Sequence, residues 1–222
     1  YYVNDNGCVL ISVDYRLSTE APYPAALDDC YLALLWLRAN ANKLGIREDQ
    51  IAVIGGSAGG GLTAALTLYA RDKGEVNIAF QIPICPMLDD RGTTDSCRDN
   101  NAPFWDAKNN ALGWKIYLGE LFGTDNVPAY AAPARASDYS NLPPTCTYVG
   151  SIEPFCDETI TYAKNLQAAG VAVDYKVFTG GYHGFDAIVP KAEISKQATQ
   201  FRNDWFQKAL KNYFAAQPIE NI

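Results

Sequence analysis

The sequence predicts an α/β fold, a mostly parallel sheet flanked by helices. Three observations carry that prediction. Short apolar runs rich in β-branched residues alternate with segments whose apolar positions recur at helical spacing, the pattern of strand-helix crossovers. A glycine-rich turn over residues 55–61 joins one such strand to one such helix. The chain of 222 residues is 48% hydrophobic and 12% aromatic. At that length a folded chain buries roughly 70–75% of its unfolded surface, enough for a core without staples or metals.

The elements follow in order. Residues 8–13 (Cys-Val-Leu-Ile-Ser-Val) form a continuous apolar run and read as a strand buried on both faces. Pro22 and Pro24 introduce a helix whose apolar positions Ala26, Leu27, Cys30, Leu34 and Leu37 keep helical spacing, and Gly45 closes that region. Residues 51–54 form a second buried strand, and an Ala/Leu-rich helix runs from the 55–61 turn to about Arg71. Residues 78–84 give a third strand. The stretch 86–144 changes character: prolines, paired Asp and Asn residues, and both Trp105 and Trp114 mark an irregular, partly helical, pocket-forming insertion. Regular structure resumes with a strand at 145–149, a helix at 158–169, a strand at 173–178 and a long amphipathic helix at 193–214. One domain spanning 1–222 is expected.

Charge and composition exclude several function classes. With 18 Lys+Arg against 25 Asp+Glu the net charge is −7, and no Lys/Arg cluster offers the positive surface that phosphate binding requires, so nucleic acid is not an expected partner. No run approaches the ~18 apolar residues of a membrane span. The six cysteines are scattered without a C-x-x-C pair, which suggests neither a zinc site nor a redox motif, so no metal or cofactor is expected. Several lie in apolar runs, as buried free thiols do, and a reducing compartment, the cytoplasm, is the expected location.

Gly55-Gly56-Ser57-Ala58-Gly59 fits G-x-S-x-G, and it stands where that pattern has mechanical meaning, between a buried strand and a helix. The glycines permit a turn too tight for side chains. Ser57 is thereby presented at a helix N-terminus as a candidate nucleophile, with the Ala58 amide directed where an oxyanion would develop. The spacing fits neither G-x-x-x-x-G-K-[ST] nor G-x-G-x-x-G, so the turn is not a phosphate loop. A serine hydroxyl needs a base, and the chain holds one histidine, His183, in a glycine-flanked loop after the last strand. The base in turn needs a carboxylate. Residues 149–158 end a strand and offer Glu153, Asp157 and Glu158. Glu153 lies nearest the strand's carboxyl end, where catalytic groups of open α/β sheets gather, whereas Asp157 and Glu158 resemble the acidic first turn of the next helix. Glu153 is therefore the expected acid, with Asp157 in reserve, and the order serine, acid, histidine is that of the α/β-hydrolases.

Several motifs in one order then resemble the hormone-sensitive-lipase-like esterases of the α/β-hydrolase fold, a group that includes acetyl esterases and heroin-esterase-like enzymes. Val13-Asp14-Tyr15-Arg16-Leu17 with Pro22-Tyr23-Pro24-Ala25-Ala26 resembles VDYRLAPE…FPAA. Gly56-Ser57-Ala58-Gly59-Gly60 resembles GDSAGG, and Leu142-Pro143-Pro144 resembles LPP. Glu153-Pro154-Phe155-Cys156-Asp157-Glu158 resembles DPLRDE, and His183-Gly184-Phe185 resembles HGF. The resemblance implies Ser57 as nucleophile, His183 as base and Glu153 at the position of the catalytic aspartate. Gly56 replaces the aspartate before the serine, and Glu153 lengthens the acid by a methylene. The family also places an HGG(G) loop upstream of the VDYRL strand, and this chain has no such loop. By the same resemblance a further strand is expected between 8–13 and 51–54. An N-terminal segment of roughly a hundred residues, carrying a cap, the first strands and the oxyanion loop, is expected to precede Tyr1.

The expectation for function is a serine carboxylesterase acting on a small-molecule ester. Phe104, Trp105, Trp114, Tyr117 and Phe122 supply aromatic wall material for short acyl groups, and Gly56, Trp105 and Trp114 are the expected substrate contacts. A non-catalytic receptor on the same fold and an amidase using the same triad are the competing expectations. The apolar stripe of the last helix, Ile194, Ala198, Phe201, Trp205, Leu210 and Phe214, is mostly core-facing and leaves monomer and homodimer both open.

Overall fold

The structure is a computed structural model that describes residues 1–219. Residues 220–222 of the expected domain lie outside the described residues. In chain order the elements are α1 (Tyr2–Asn6), α2 (Ala25–Ala39), α3 (Ala41–Leu44), β1 (Ala52–Gly56), α4 (Ala58–Lys73), β2 (Phe80–Ile84), α5 (Ala107–Leu118), β3 (Thr145–Gly150), α6 (Cys156–Ala168), β4 (Val173–Phe178), α7 (Phe185–Ile188) and α8 (Glu193–Asn212). The four strands are parallel and lie in the order β1-β2-β3-β4. Each connection therefore crosses over the sheet, as the alternation of strand and helix patterns demands.

Alternation along β2 distributes the layers. Phe80 and Ile82 pack on Trp205, Phe206 and Ala209 of α8. Gln81, between them, points to the opposite face. Its amide donates to Thr145 Oγ1 at 3.0 Å and the Tyr162 hydroxyl at 3.2 Å, while its carbonyl accepts from Thr67 Oγ1 at 3.1 Å. The one polar residue in the middle of this buried strand is thus satisfied by hydroxyls from α4, β3 and α6. On α8, Trp205 is buried in one cluster with Phe201 and Leu210 against it, and Ala198 in a second with Ile194 and Phe201 against it. Phe214 lies past the helix end, 46% exposed.

Residues 8–13 depart from expectation. They form no regular element and join no sheet, and Val9, Leu10 and Ile11 are exposed rather than buried. A cavity of about 810 Å³ separates this segment from β1, walled by residues 8–13 on one side and by Ala52, Val53, Ile54, Gly55 and Gly56 on the other. The apolar content of the run is that of a strand, but a ladder needs a partner within hydrogen-bond reach, and none flanks it among the described residues.

Two close approaches explain why glycine recurs where β1 turns into α4. A methyl group at Gly55 would stand 2.2 Å from the Gly59 carbonyl oxygen, and one at Gly61 would stand 2.0 Å from that of Met87. The first turn of α4 therefore lies against both β1 and the chain leaving β2, closer than any side chain would permit.

Candidate active site

Ser57 stands at the junction of β1 and α4 with φ 59° and ψ −123°, a conformation costly for a non-glycine residue. The surrounding backbone holds it there. The Ser57 N–H donates to the Ile84 carbonyl at 2.9 Å, and its own carbonyl accepts from Met87 N–H at 3.1 Å and Gly61 N–H at 3.0 Å. Gly56, the last residue of β1, and Ala58, the first of α4, flank it. The Ala58 amide consequently sits at the positive end of a helix, where developing negative charge is favoured.

The loops after β3 and β4 bring the other two groups. Ser57 Oγ lies 2.8 Å from His183 Nε2, and His183 Nδ1 lies 2.5 Å from Glu153 Oε2. The second carboxylate oxygen of Glu153 accepts from the Gly150 N–H at 2.8 Å, and the side chain is completely buried. The two loops touch directly: Ile152 N–H donates to the Gly181 carbonyl at 3.1 Å. A methyl at Gly150 would fall 2.1 Å from that same oxygen. Glycine at both positions lets the acid loop and the histidine loop meet.

Asp157 does not face the histidine. It accepts from Ser96 N–H at 2.8 Å, while the Ser96 hydroxyl donates to the Pro154 carbonyl at 2.9 Å and accepts from Asp157 N–H at 3.0 Å. This clamp ties the insertion to the acid loop. Trp105 does reach the site, with its ring centroid 6.2 Å from that of His183. Trp114 does not serve as the expected substrate contact. It is 1% exposed, packed in the core of the insertion with Met87, Leu118, Val127 and Phe155. Its large apolar surface is used to anchor the irregular segment.

Sequence reading overlooked Phe155, whose edge meets the imidazole at a centroid separation of 5.0 Å, and Cys85 beneath the acid. It also misjudged Glu158. Instead of decorating a helix N-terminus, Glu158 is 3% exposed and its Oε1 accepts from Leu88 N–H at 2.7 Å and Asp89 N–H at 3.3 Å. Burial pushes its carboxyl well above the ordinary range, against the opposing pull of those two amides. A carboxyl whose native pKa is raised binds protons more tightly folded than unfolded, so its ionisation costs stability as pH rises through and beyond the unfolded value. Glu158→Gln keeps an acceptor for both amides and removes that cost, so its unfolding midpoint should match or exceed the wild type at neutral pH, with the difference shrinking on acidification. Glu158→Ala leaves two buried donors unpaired and should lose about 2–4 kcal/mol. Urea unfolding at two pH values checks both, and a destabilised Glu158→Gln variant would show that the carboxylate charge itself is required.

Among the described residues, Cys85, Glu153 and His183 are the one group of three with metal-ligating atoms within 4.8 Å of one another. Two of the three already share the 2.5 Å contact, so a metal would have to break the hydrogen bond between acid and base. The arrangement is suited instead to moving a proton from Ser57 to His183 beside a buried negative charge.

Residues 1–187 match a family described as having the alpha/beta hydrolase fold. An esterase, LipI, of Mycobacterium tuberculosis is 37% identical over 188 residues, covering 83% of this chain and 58% of that protein. An arylesterase of Saccharolobus solfataricus is 36% identical, covering 82% of this chain and 59% of its own length. Among solved structures, a bacterial heroin esterase superposes with a TM-score of 0.80 at 44% identity, over 83% of this chain and 59% of that one. Esterase LipW from Mycobacterium marinum superposes with a TM-score of 0.85 at 36% identity, over 92% and 64%. The chain thus spans less than two thirds of the length of each of these relatives.

Proposed function

This chain belongs to the family with the alpha/beta hydrolase fold, and from that premise we propose that it is a serine carboxylesterase for short-chain acyl esters, with Ser57, His183 and Glu153 as its triad. The observation that carries the proposal is the unbroken chain of two hydrogen bonds, 2.8 Å from serine to imidazole and 2.5 Å from imidazole to carboxylate. As the Ser57 oxygen adds to the ester carbonyl, its proton passes to His183 Nε2. The tetrahedral oxyanion forms beside the Ala58 amide. Collapse expels the alkoxide, which takes the proton from His183 and leaves as the alcohol. Water then repeats the sequence on the acyl-enzyme, with His183 accepting its proton and returning it to Ser57, and the carboxylic acid departs. No cofactor enters this balance.

The named esterases among the relatives support the reaction class, and the partly buried ring of Trp105 beside the imidazole supports a short acyl group. No helix is long and apolar enough to cross a membrane among the described residues, and the six cysteines are free, which suits a cytoplasmic location. A panel of p-nitrophenyl esters from acetate to decanoate, with matched anilides, tests the reading. Acetate or butyrate should give the highest kcat/KM and the anilides far lower values. A preference for decanoate overturns the short-chain assignment, and anilides turned over as fast as the esters would make the protein an amidase. Reversible binding of esters with no turnover would make it a receptor.

A further inference from the structure

Glu153 presents an unfinished account. It is a carboxylate with no exposure and no Lys or Arg partner, and Gly150 N–H and His183 Nδ1–H donate to it. A buried carboxylate offers about four acceptor positions and is costly to leave under-coordinated. A third donor is close by. Cys85, 2% exposed, has its sulfur within 4.8 Å of both the Glu153 carboxylate and a His183 ring nitrogen.

The backbone at Cys85 is bent in a way that a packing role alone would not require. Its φ is 42°, a left-handed value uncommon for a side chain with a β-carbon and doubly restricted because Pro86 follows. The chain before and after it is fixed to the nucleophile: Ile84 accepts from Ser57 N–H, and Met87 N–H, two residues on, donates to the Ser57 carbonyl. Cys85 N–H itself donates to the Tyr148 carbonyl at 2.9 Å, on the strand that leads to the acid. Strain of this kind persists where the surroundings enforce it, and here the enforced turn sets the sulfur below the acid.

We propose that Cys85 is a positioning residue of the site, its thiol donating to the Glu153 carboxylate and through it governing how tightly that acid holds His183. The inference rests on the triad assigned above. Burial, the neighbouring Glu153 charge and the Asp186 charge all push the thiol well above its ordinary range, which keeps it in the S–H form that can donate. The other titratable groups around this cluster are Asp186, engaged by the Tyr148 hydroxyl at 2.5 Å, and the buried Glu158 and Cys156, which feel the Glu153 charge. None of them donates to the Glu153 carboxylate.

A thiol proton draws charge from Glu153 and so weakens its stabilisation of the imidazolium. Removing it leaves the full carboxylate charge to stabilise the imidazolium of His183. In Cys85→Ala, and in Cys85→Gly, which suits the positive φ, the acidic limb of the kcat/KM profile should move up by about half a pH unit, so that activity on that limb falls about threefold. Cys85→Ser keeps a donor and should return the limb to the wild-type position or below it. Because the chain has a single histidine, the downfield proton signal of an imidazole in tag-free protein reports this site unambiguously. That signal should shift in the alanine and glycine variants and return toward the wild-type position in the serine variant. If limb and signal coincide in wild type, Cys85→Ala and Cys85→Gly, Cys85 is packing only and the proposal fails. If the protein shows no Ser57-dependent turnover, the triad reading fails instead, while the proton signal still decides whether Cys85 acts on Glu153.

Discussion

Ser57→Ala is expected to lower kcat on a short-chain ester by about 10⁶-fold, the scale of nucleophile removal in Ser-His-acid hydrolases. The hydroxyl is the only atom removed, and its one side-chain partner is His183, so the fold should be spared. The helix start, the backbone bonds to Ile84 and Met87, and the strained φ all belong to the main chain and persist in alanine. The unfolding midpoint of the variant should accordingly stay close to that of the wild type. What survives is binding and oxyanion stabilisation, which alone give about 10³–10⁴ over water. Intact mass after exposure to a fluorophosphonate supplies a second readout: one adduct on the wild type, none on the variant. A variant that retained turnover within tenfold would remove Ser57 from the chemistry, and a wild type that formed no adduct and no product would remove the enzyme reading.

The parts of this site that were legible in the sequence are those whose constraint is local. Ser57 is announced by its glycines, because a turn this tight has few chemical solutions, and His183 by being the sole histidine. Glu153 was separable from Asp157 because strand ends in parallel sheets converge, and the structure places the first against the histidine and the second against Ser96. The sheet was legible for the same reason, with the boundaries of β4 read to the residue. Illegible were the features that long-range packing decides. Glu158 occupies a first-turn position that charge alone would explain, yet its face of α6 is covered by the chain leaving β2. Trp105 and Trp114 are alike in sequence context, and only the fold of the insertion sends one to the imidazole and the other into its own core. Residues 8–13 have a strand's composition, but pairing is a property of two segments and cannot be read from one. Cys85 carried no signal, because neither a positive φ nor proximity to an acid 68 positions later leaves a local pattern.

Glu153→Gln should cost about 10⁴-fold in kcat, more than its near-isosteric change suggests. The carboxylate accepts two N–H groups, one on each oxygen, at 2.8 Å from Gly150 and 2.5 Å from His183. An amide has only one accepting oxygen. Either its NH₂ faces Gly150 N–H, a buried clash of donors, or it faces His183 and forces the lone pair onto Nδ1. In the second case the proton moves to Nε2, which then points N–H at Ser57 Oγ and cannot take the serine proton. The charge that stabilises the imidazolium is lost in both. Glu153→Asp keeps that charge but withdraws it by a methylene, so it can satisfy one of the two contacts at full strength. A loss of about tenfold to a hundredfold is expected, the scale of a misplacement near 1 Å. Asp157→Asn is the control that separates the two acids, since an amide oxygen still accepts from Ser96 N–H, and activity should remain within about tenfold of the wild type. Should Asp157→Asn reproduce the loss while Glu153→Gln leaves kcat within tenfold of the wild type, the orienting acid has been assigned to the wrong residue.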